Sequence, residues 1–274
     1  MSSFLTGDRK WFLGTVHLLP LPGSPRWGGD TDAVVRHAVR DAVAYARGGA
    51  DALVIENFHD VPFTCGAVTP EVVASMARVA AAIRDAVALP MGFNVLRNDA
   101  RAGVGLCAAC GGAFLRVNVH SGVMLTDQGL IEGNAYETLR TRSRLCPAAM
   151  VLADVQVKHA VPLGGCPIEQ AARDTLERGL ADALIVSGTG TGVATDLEDV
   201  RRVRAACPGA RLLLGSGVTV QNVGPFLPFV NGAIVGSSLK KDGKLMNPVD
   251  VRRVAALAKA LQREIRNPEL PAKL

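Results

Sequence analysis

Apolar residues along this chain gather into eight short runs, at 11–17, 52–56, 91–96, 113–119, 150–157, 183–187, 212–215 and 233–236. Most runs are continuous rather than alternating, which is the pattern of parallel strands covered by helices outside and filled by side chains inside. Between them lie segments with helical spacing, predicted at 31–47, 70–87, 99–110, 132–144, 168–178, 197–206, 219–227 and 249–265. In the first of these, Val34, Val35, Ala38, Ala42 and Tyr45 share a face and the pattern stops at Gly48-Gly49, a C-cap signal. In the second, Thr69 stands at the N-cap position and Glu71 in the first turn, where the helix dipole favours an acid. Eight strand-helix repeats predict an α/β fold, a single (β/α)8 TIM barrel.

The chain of 274 residues has no linker, low-complexity tract or charge block, so one domain is expected over 1–274, with 266–274 a short tail containing two prolines. Hydrophobic residues make up 49% and aromatic ones only 4%, which implies a core of aliphatic side chains suited to a sheet buried on both faces. The net charge of +5 is modest and its arginines are spread along the helical segments, so no nucleic-acid partner is expected and an anionic small ligand accounts for the excess. Six irregularly spaced cysteines point to a reducing, cytoplasmic setting rather than a disulfide framework. Asp8, Arg9 and Lys10 precede a run interrupted by His17, and no run approaches the roughly 18 apolar residues of a spanning helix, so neither a signal peptide nor membrane insertion is expected. Barrels commonly assemble, and a homo-oligomer is expected on that general ground.

Candidate chemistry sits at the C-terminal ends of the runs, where a barrel places its pocket. The seventh and eighth runs end in Gly215-Ser216-Gly217 and Gly236-Ser237-Ser238. Small residues at these two places leave backbone N–H groups open to a phosphate, so a phosphate-type site is expected there. The other ends supply His17, then Glu56 and Asn57, then Asn94 and Arg97, Arg116 and Asn118, Asp154, Lys158 and His159, and Thr189. Carboxylates, an amine and amides around one mouth suit proton transfer on a polyhydroxylated, phosphorylated or sugar-like substrate. Glu56 and Asp154 are the acid-base candidates, each also able to serve simply as a partner of Arg97, Arg116 or Lys158. Lys158 is either a point charge for an anion or, if desolvated, a Schiff-base nucleophile.

His17, His59, His120 and His159 lie near strand ends as candidate proton shuttles or metal ligands, with His17, Glu56 and His159 the alternative metal cluster, but no metal-site spacing accompanies them, so neither a metal nor another cofactor is expected. Cys107 and Cys110, three apart in a predicted helix, read as small core residues. The glycine-rich stretch 187–192 lacks the lysine of a P-loop and reads as a lid or binding loop, and the long connection 119–130 as a cover over the site or a contact surface.

The strings GTVHLLPLPGSPRWGG from Gly14, VIENFHDVPF from Val54, GFNVLRNDA from Gly92, FLRVNVHSGVMLTDQGLIEG from Phe114, DVQVKHAVPL from Asp154, LLGSGVT from Leu213 and IVGSSLKKDG from Ile234 resemble the BtpA family, also called BtpA/SgcQ, from about residue 10 to about residue 265. The resemblance implies a TIM barrel akin to the phosphate-binding barrels of tryptophan biosynthesis. It also implies two associations: the family takes its name from a factor for photosystem I biogenesis, and another member is encoded among sugar-transport genes. The expected function is therefore an enzyme of isomerase, lyase or glycosyl-bond chemistry on a small phosphorylated metabolite, or alternatively a non-catalytic biogenesis factor for a membrane complex.

Overall fold

The structure is a computed structural model that describes residues 4–7 and 9–262. Among these, eight parallel strands close into a barrel: β1 (Trp11–His17), β2 (Ala52–Glu56), β3 (Met91–Asn94), β4 (Phe114–Val117), β7 (Met150–Val155), β9 (Ala183–Val186), β10 (Leu212–Leu214) and β11 (Gly232–Val235). All eight coincide with the predicted runs, several one to three residues shorter. Between β4 and β7 lie two further strands, β5 (Val123–Thr126) and β6 (Gly129–Glu132), which begin in the connection 119–130 and end two residues beyond it, and β8 (Ala160–Pro162) lies after β7. These three form an antiparallel sheet in the order β6-β5-β8 beside the barrel mouth. The helices are α1 (Thr31–Gly48), α2 (Pro70–Ala86), α3 (Ala100–Cys110), α4 (Ala135–Leu145), α5 (Ile168–Arg173), α6 (Leu197–Ala206) and α7 (Val251–Leu261).

Three expectations are corrected. The helix expected at 219–227 is a set of turns with a single 3-10 turn at Gly224–Phe226. Thr219 and Asn222 bond each other's backbone N–H groups through their side chains, and Pro225 and Pro228 bring no N–H to continue a helix. The helix expected from residue 132 starts at Ala135, capped by the Asn134 side chain, because Glu132 is the last residue of β6. The segment 168–178 is helical throughout but widens to π turns from Asp174. The expected last turn to residue 265 and the tail lie outside the described residues.

Strand parity divides the core. Leu13, Ala52, Val54, Phe114, Leu152, Ile185, Leu213 and Ile234 fill the interior, while their neighbours Phe12, Leu53, Ile55, Leu115, Val151, Leu184, Leu212 and Val235 face the helices. Because strand side chains alternate, the inward face continues upward with fixed parity: Thr15 and His17 above Leu13, Glu56 above Val54, Arg116 and Asn118 above Phe114, Asp154 above Leu152, and Ser187 above Ile185. The lower end is plugged by Phe4, which stacks on Phe114 at 4.8 Å and meets Trp11 edge-on at 5.4 Å. Gly14 has no side chain because the Tyr45 ring from α1 lies where a Cβ would be, 2.3 Å away, and the Tyr45 hydroxyl donates to the Thr15 carbonyl.

The barrel is tied at its closing seam by a buried ion pair. Lys240, next after the turn Ser237–Leu239 that follows β11, donates from Nζ to Asp41 on α1, and both side chains are fully buried. Asp41 also accepts the Val249 N–H, so one carboxylate holds the chain on both sides of the excursion 240–249. Replacing Asp41 by Leu strands the Lys240 ammonium, and a loss of about 3–5 kcal/mol in urea unfolding is expected, partly recovered by adding Lys240→Met. A loss below about 1 kcal/mol would mean that the seam is held elsewhere.

Candidate functional site

Two connected hollows open at the C-terminal ends of the strands. The inner recess is lined by Thr15 and His17 of β1, Glu56, Arg116, Lys158, Thr191-Gly192, and the stretches 215–218 and 234–238. The outer cavity, ≈ 800 Å³, shares Glu56, Lys158 and Thr191 with the recess and adds side chains from the loops after β1, β2, β3, β7 and β11 and from the β5–β6 turn.

The recess has the features of an anion cradle. The N–H groups of Ser216, Gly217, Ser237 and Ser238 have no backbone partner among the described residues. Gly217 has φ +63°, and a Cβ there would lie 2.2 Å from the Val193 carbonyl oxygen; a Cβ on Gly236 would lie 2.7 Å from the His17 ring. Glycine at both places is therefore enforced by close approach. The serine side chains divide their work. Ser216 Oγ accepts from Gly188 N at 2.7 Å and contacts the Val193 carbonyl at 3.2 Å, and Ser238 Oγ donates to the Val218 carbonyl. Both brace loops, and of these three serine hydroxyls only that of Ser237 has no partner among the described residues. Burial pushes the His17 imidazole well below its usual range, with the nearby Lys240 charge acting in the same direction, so the ring beside the cradle is neutral.

Above the core a polar ladder crosses four strands. Asp154 accepts from Arg116 Nε and Nη2, both at 2.9 Å, from Asn118 Nδ2 at 3.0 Å and from Ser187 Oγ at 2.8 Å. Its side chain is fully buried and lines neither the recess nor the outer cavity. Asn94 donates to Asn118 Oδ1 and to the Arg116 carbonyl. Arg116 is thus fixed in a bidentate grip, the Asp154 carboxylate holding its charge above the usual guanidinium range against the opposing effect of burial. Such an arrangement spends Asp154 on orienting a guanidinium rather than leaving it free to exchange a proton.

Glu56 and Lys158 are different. Both line the recess and the outer cavity, and the side chain of neither makes a hydrogen bond or ion pair with any described residue. Burial lowers the Lys158 ammonium below its usual value, and the Glu56 carboxylate is the largest charge opposing that shift. Arg97 Nη2 donates to the Lys158 carbonyl at 2.6 Å and so anchors the backbone that carries the amine.

The remaining candidates scatter. Asn57 spends its amide on both backbone groups of Leu96 and Asn118 spends its amide in the ladder, so these two brace the mouth, whereas Asn94 gives only its Nδ2 to the ladder and its buried Oδ1 has no partner among the described residues. Thr189 is exposed and offers only its carbonyl to His159 N; Thr191, two residues on, lines both hollows and donates its N–H to His159 Nε2. His120 is turned away, with Nε2 on the Gly179 carbonyl at 2.7 Å. Phe58, Phe63, Leu245 and Met246 line the outer cavity without having been singled out in the sequence, since apolar loop residues carry no periodic or chemical signal there. Among the described residues no group of three or more His, Cys, Asp or Glu is arranged to hold a metal, and no helix is long and apolar enough to cross a membrane.

Known proteins are similar to this chain at two levels, fold and sequence. Among solved structures, tryptophan synthase from Mycobacterium tuberculosis (TM-score 0.62, 17% identity, 94% of each chain) and phosphoribosyl anthranilate isomerase from Thermus thermophilus (TM-score 0.57, 15% identity, 91% of this chain and 98% of that one) have the same fold. In sequence, the photosystem I biogenesis protein BtpA of Synechocystis is 47% identical over 249 residues, covering 91% of this chain and 87% of that one. An uncharacterised protein of Thermococcus kodakarensis is 46% identical, covering 94% and 97%, and the putative sgc region protein SgcQ of Escherichia coli is 32% identical, covering 91% and 93%. A family model described as the BtpA family matches residues 8–263, and the chain belongs to that family.

Proposed function

We propose that this barrel is an enzyme acting on a small phosphorylated, sugar-like metabolite by acid-base catalysis. The observation that carries the reading is the contrast inside one mouth: Arg116, Asn118 and Asp154 are bonded to one another, whereas, beside an anion cradle, the side chains of buried Glu56 and half-buried Lys158 have no hydrogen-bond or ion-pair partner among the described residues. In this reading the backbone N–H groups of 216–217 and 237–238 and the Ser237 hydroxyl hold the phosphate. Glu56 moves a proton at the carbon or oxygen held between it and Lys158, and the Lys158 ammonium with Arg116 offsets the negative charge that develops. Asp154 serves by fixing Arg116. A side chain kept free of partners in a buried mouth is costly for folding and is retained where a ligand completes it.

Two measurements test this. A phosphosugar present at about 100 times its Kd should stabilise the folded protein by about 2.7 kcal/mol in thermal unfolding, and Ser237→Asp, which sets a carboxylate in the cradle, should abolish the shift while leaving the unliganded Tm within a few degrees. Glu56→Gln should keep the ligand-induced shift and lower turnover of the responding ligand by about 10²–10⁴-fold, followed by NMR of the reaction mixture. Loss of the shift in Glu56→Gln with turnover unchanged would assign Glu56 to binding instead.

The buried imidazoles give a pH signature. His17 and His120 are depressed and His59 is pushed down to about 4, in each case chiefly by burial. Below about pH 6.5 the unfolded chain takes up protons that the folded chain refuses, so stability should fall as pH drops from about 6.5 toward 4. Urea midpoints at pH 7 and pH 5 check this, and His59→Asn should flatten part of the slope.

A second reading, a partner-binding factor for a membrane protein complex, is favoured by one observation besides the relative's name. Leu125, Leu130 and Val161 pair across the small sheet and are 52%, 53% and 64% exposed, forming an apolar row. On that reading, Leu125→Glu with Val161→Glu would abolish complementation of a deletion strain and Glu56→Gln would preserve it; the enzyme reading predicts the reverse.

A further inference from the structure

The two hollows differ in size and chemistry more than a single small sugar phosphate requires. The recess is polar and closed in by glycines, whereas the outer cavity of ≈ 800 Å³ is walled by Phe58, His59, Phe63, Leu96, Leu245 and Met246. Its volume lies within the range of sites for drug-sized ligands. A bare pentose or hexose phosphate anchored in the recess would turn hydroxyl groups toward these six side chains, which offer few partners, or would leave them facing water. We propose that the ligand is a phosphosugar carrying a flat unsaturated ring, with its phosphate in the recess, its sugar between Glu56 and Lys158, and its ring in the outer cavity. This rests on the phosphate reading of the recess.

The aromatic wall is built in advance. Phe58 stacks on His17 at 4.4 Å with an interplanar angle of 29°, and His59 meets Phe58 edge-on at 5.1 Å and 84°. Rings fixed by one another offer a surface to a further ring without losing freedom when it binds. His59 is neutral at pH 7 because burial depresses it, so the wall carries no charge there. Met246 is 58% exposed on the loop after β11, and a thioether on a loop can shift to cover a ring once it has entered. Around the same cavity Arg26, Asp127 and His159 supply donors and acceptors for ring heteroatoms, which favours a heteroaromatic ring over a plain hydrocarbon.

The test is calorimetric titration of the full-length protein with inorganic phosphate, ribose 5-phosphate, adenosine 5′-monophosphate and uridine 5′-monophosphate. At least one nucleotide should bind about tenfold tighter than ribose 5-phosphate, the order expected of one ring stacking on aromatic side chains. Phe63→Ala and Met246→Glu, both in loops at the cavity and outside the recess, should erase that advantage and leave the affinity for ribose 5-phosphate unchanged. Binding of ribose 5-phosphate with no gain from either ring, or a gain that survives both variants, would overturn the ring proposal while leaving the phosphate reading intact. Absence of binding by phosphate and by all three phosphosugars would overturn both.

Discussion

The mouth of this barrel depends on the buried pairing of Arg116 with Asp154. Two charges removed from water are tolerated only when geometry and further hydrogen bonds compensate them. Here the carboxylate receives both Arg116 nitrogens, the Asn118 amide and the Ser187 hydroxyl, so β4, β7 and β9 are joined through one side chain at the level where the apolar core ends. Removing any one of these groups leaves the others with unmet charge or unmet hydrogen bonds, which is why the ladder behaves as a unit. Its product is a guanidinium held still at the wall of the recess.

Below this level strand parity governs. Each strand brings alternate residues inward, apolar at the bottom and polar at the top, so the interior grades from Phe4 stacked on Phe114 to Glu56, Arg116 and His17 without a change of register. At the seam, the Lys240–Asp41 pair fixes the turn that carries Ser237 and Ser238, so a buried charge pair also positions the cradle. The uncommitted side chains of Glu56 and Lys158 therefore face a guanidinium and a turn that are already held in place. Preorganisation of this kind lets charge act on a ligand without the surroundings having to move first.

Much of this was legible in the sequence because it follows from periodicity. Runs bounded by glycine and helical spacing locate all eight barrel strands, and the polar residues at their ends locate the mouth. What was not legible depends on partners distant in the chain. The amide of Asn57 looks like any ligand-binding amide until Leu96, 39 residues away, is found to occupy it. Asp154 looks like a catalytic acid until four donor atoms from the ends of β4 and β9 converge on it. Thr189 and Thr191 differ only in how the glycine-rich loop turns. The segment 119–130 has the composition of a loop, and its pairing into a hairpin is set by β8, which lies beyond β7. The segment 219–227 has helical spacing, but the Thr219–Asn222 bonds and two prolines prevail over it.

The central claim is that the cradle above β10 and β11 holds a phosphate with Glu56 and Lys158 at its open side. A crystal structure of the protein soaked with ribose 5-phosphate tests it most directly. The account predicts phosphate oxygens about 2.7–3.1 Å from the N–H groups of 216–217 and 237–238, with the sugar between Glu56 and Lys158. A phosphate bound elsewhere, or a recess that stays filled with water while the sugar lies outside it, would contradict the account.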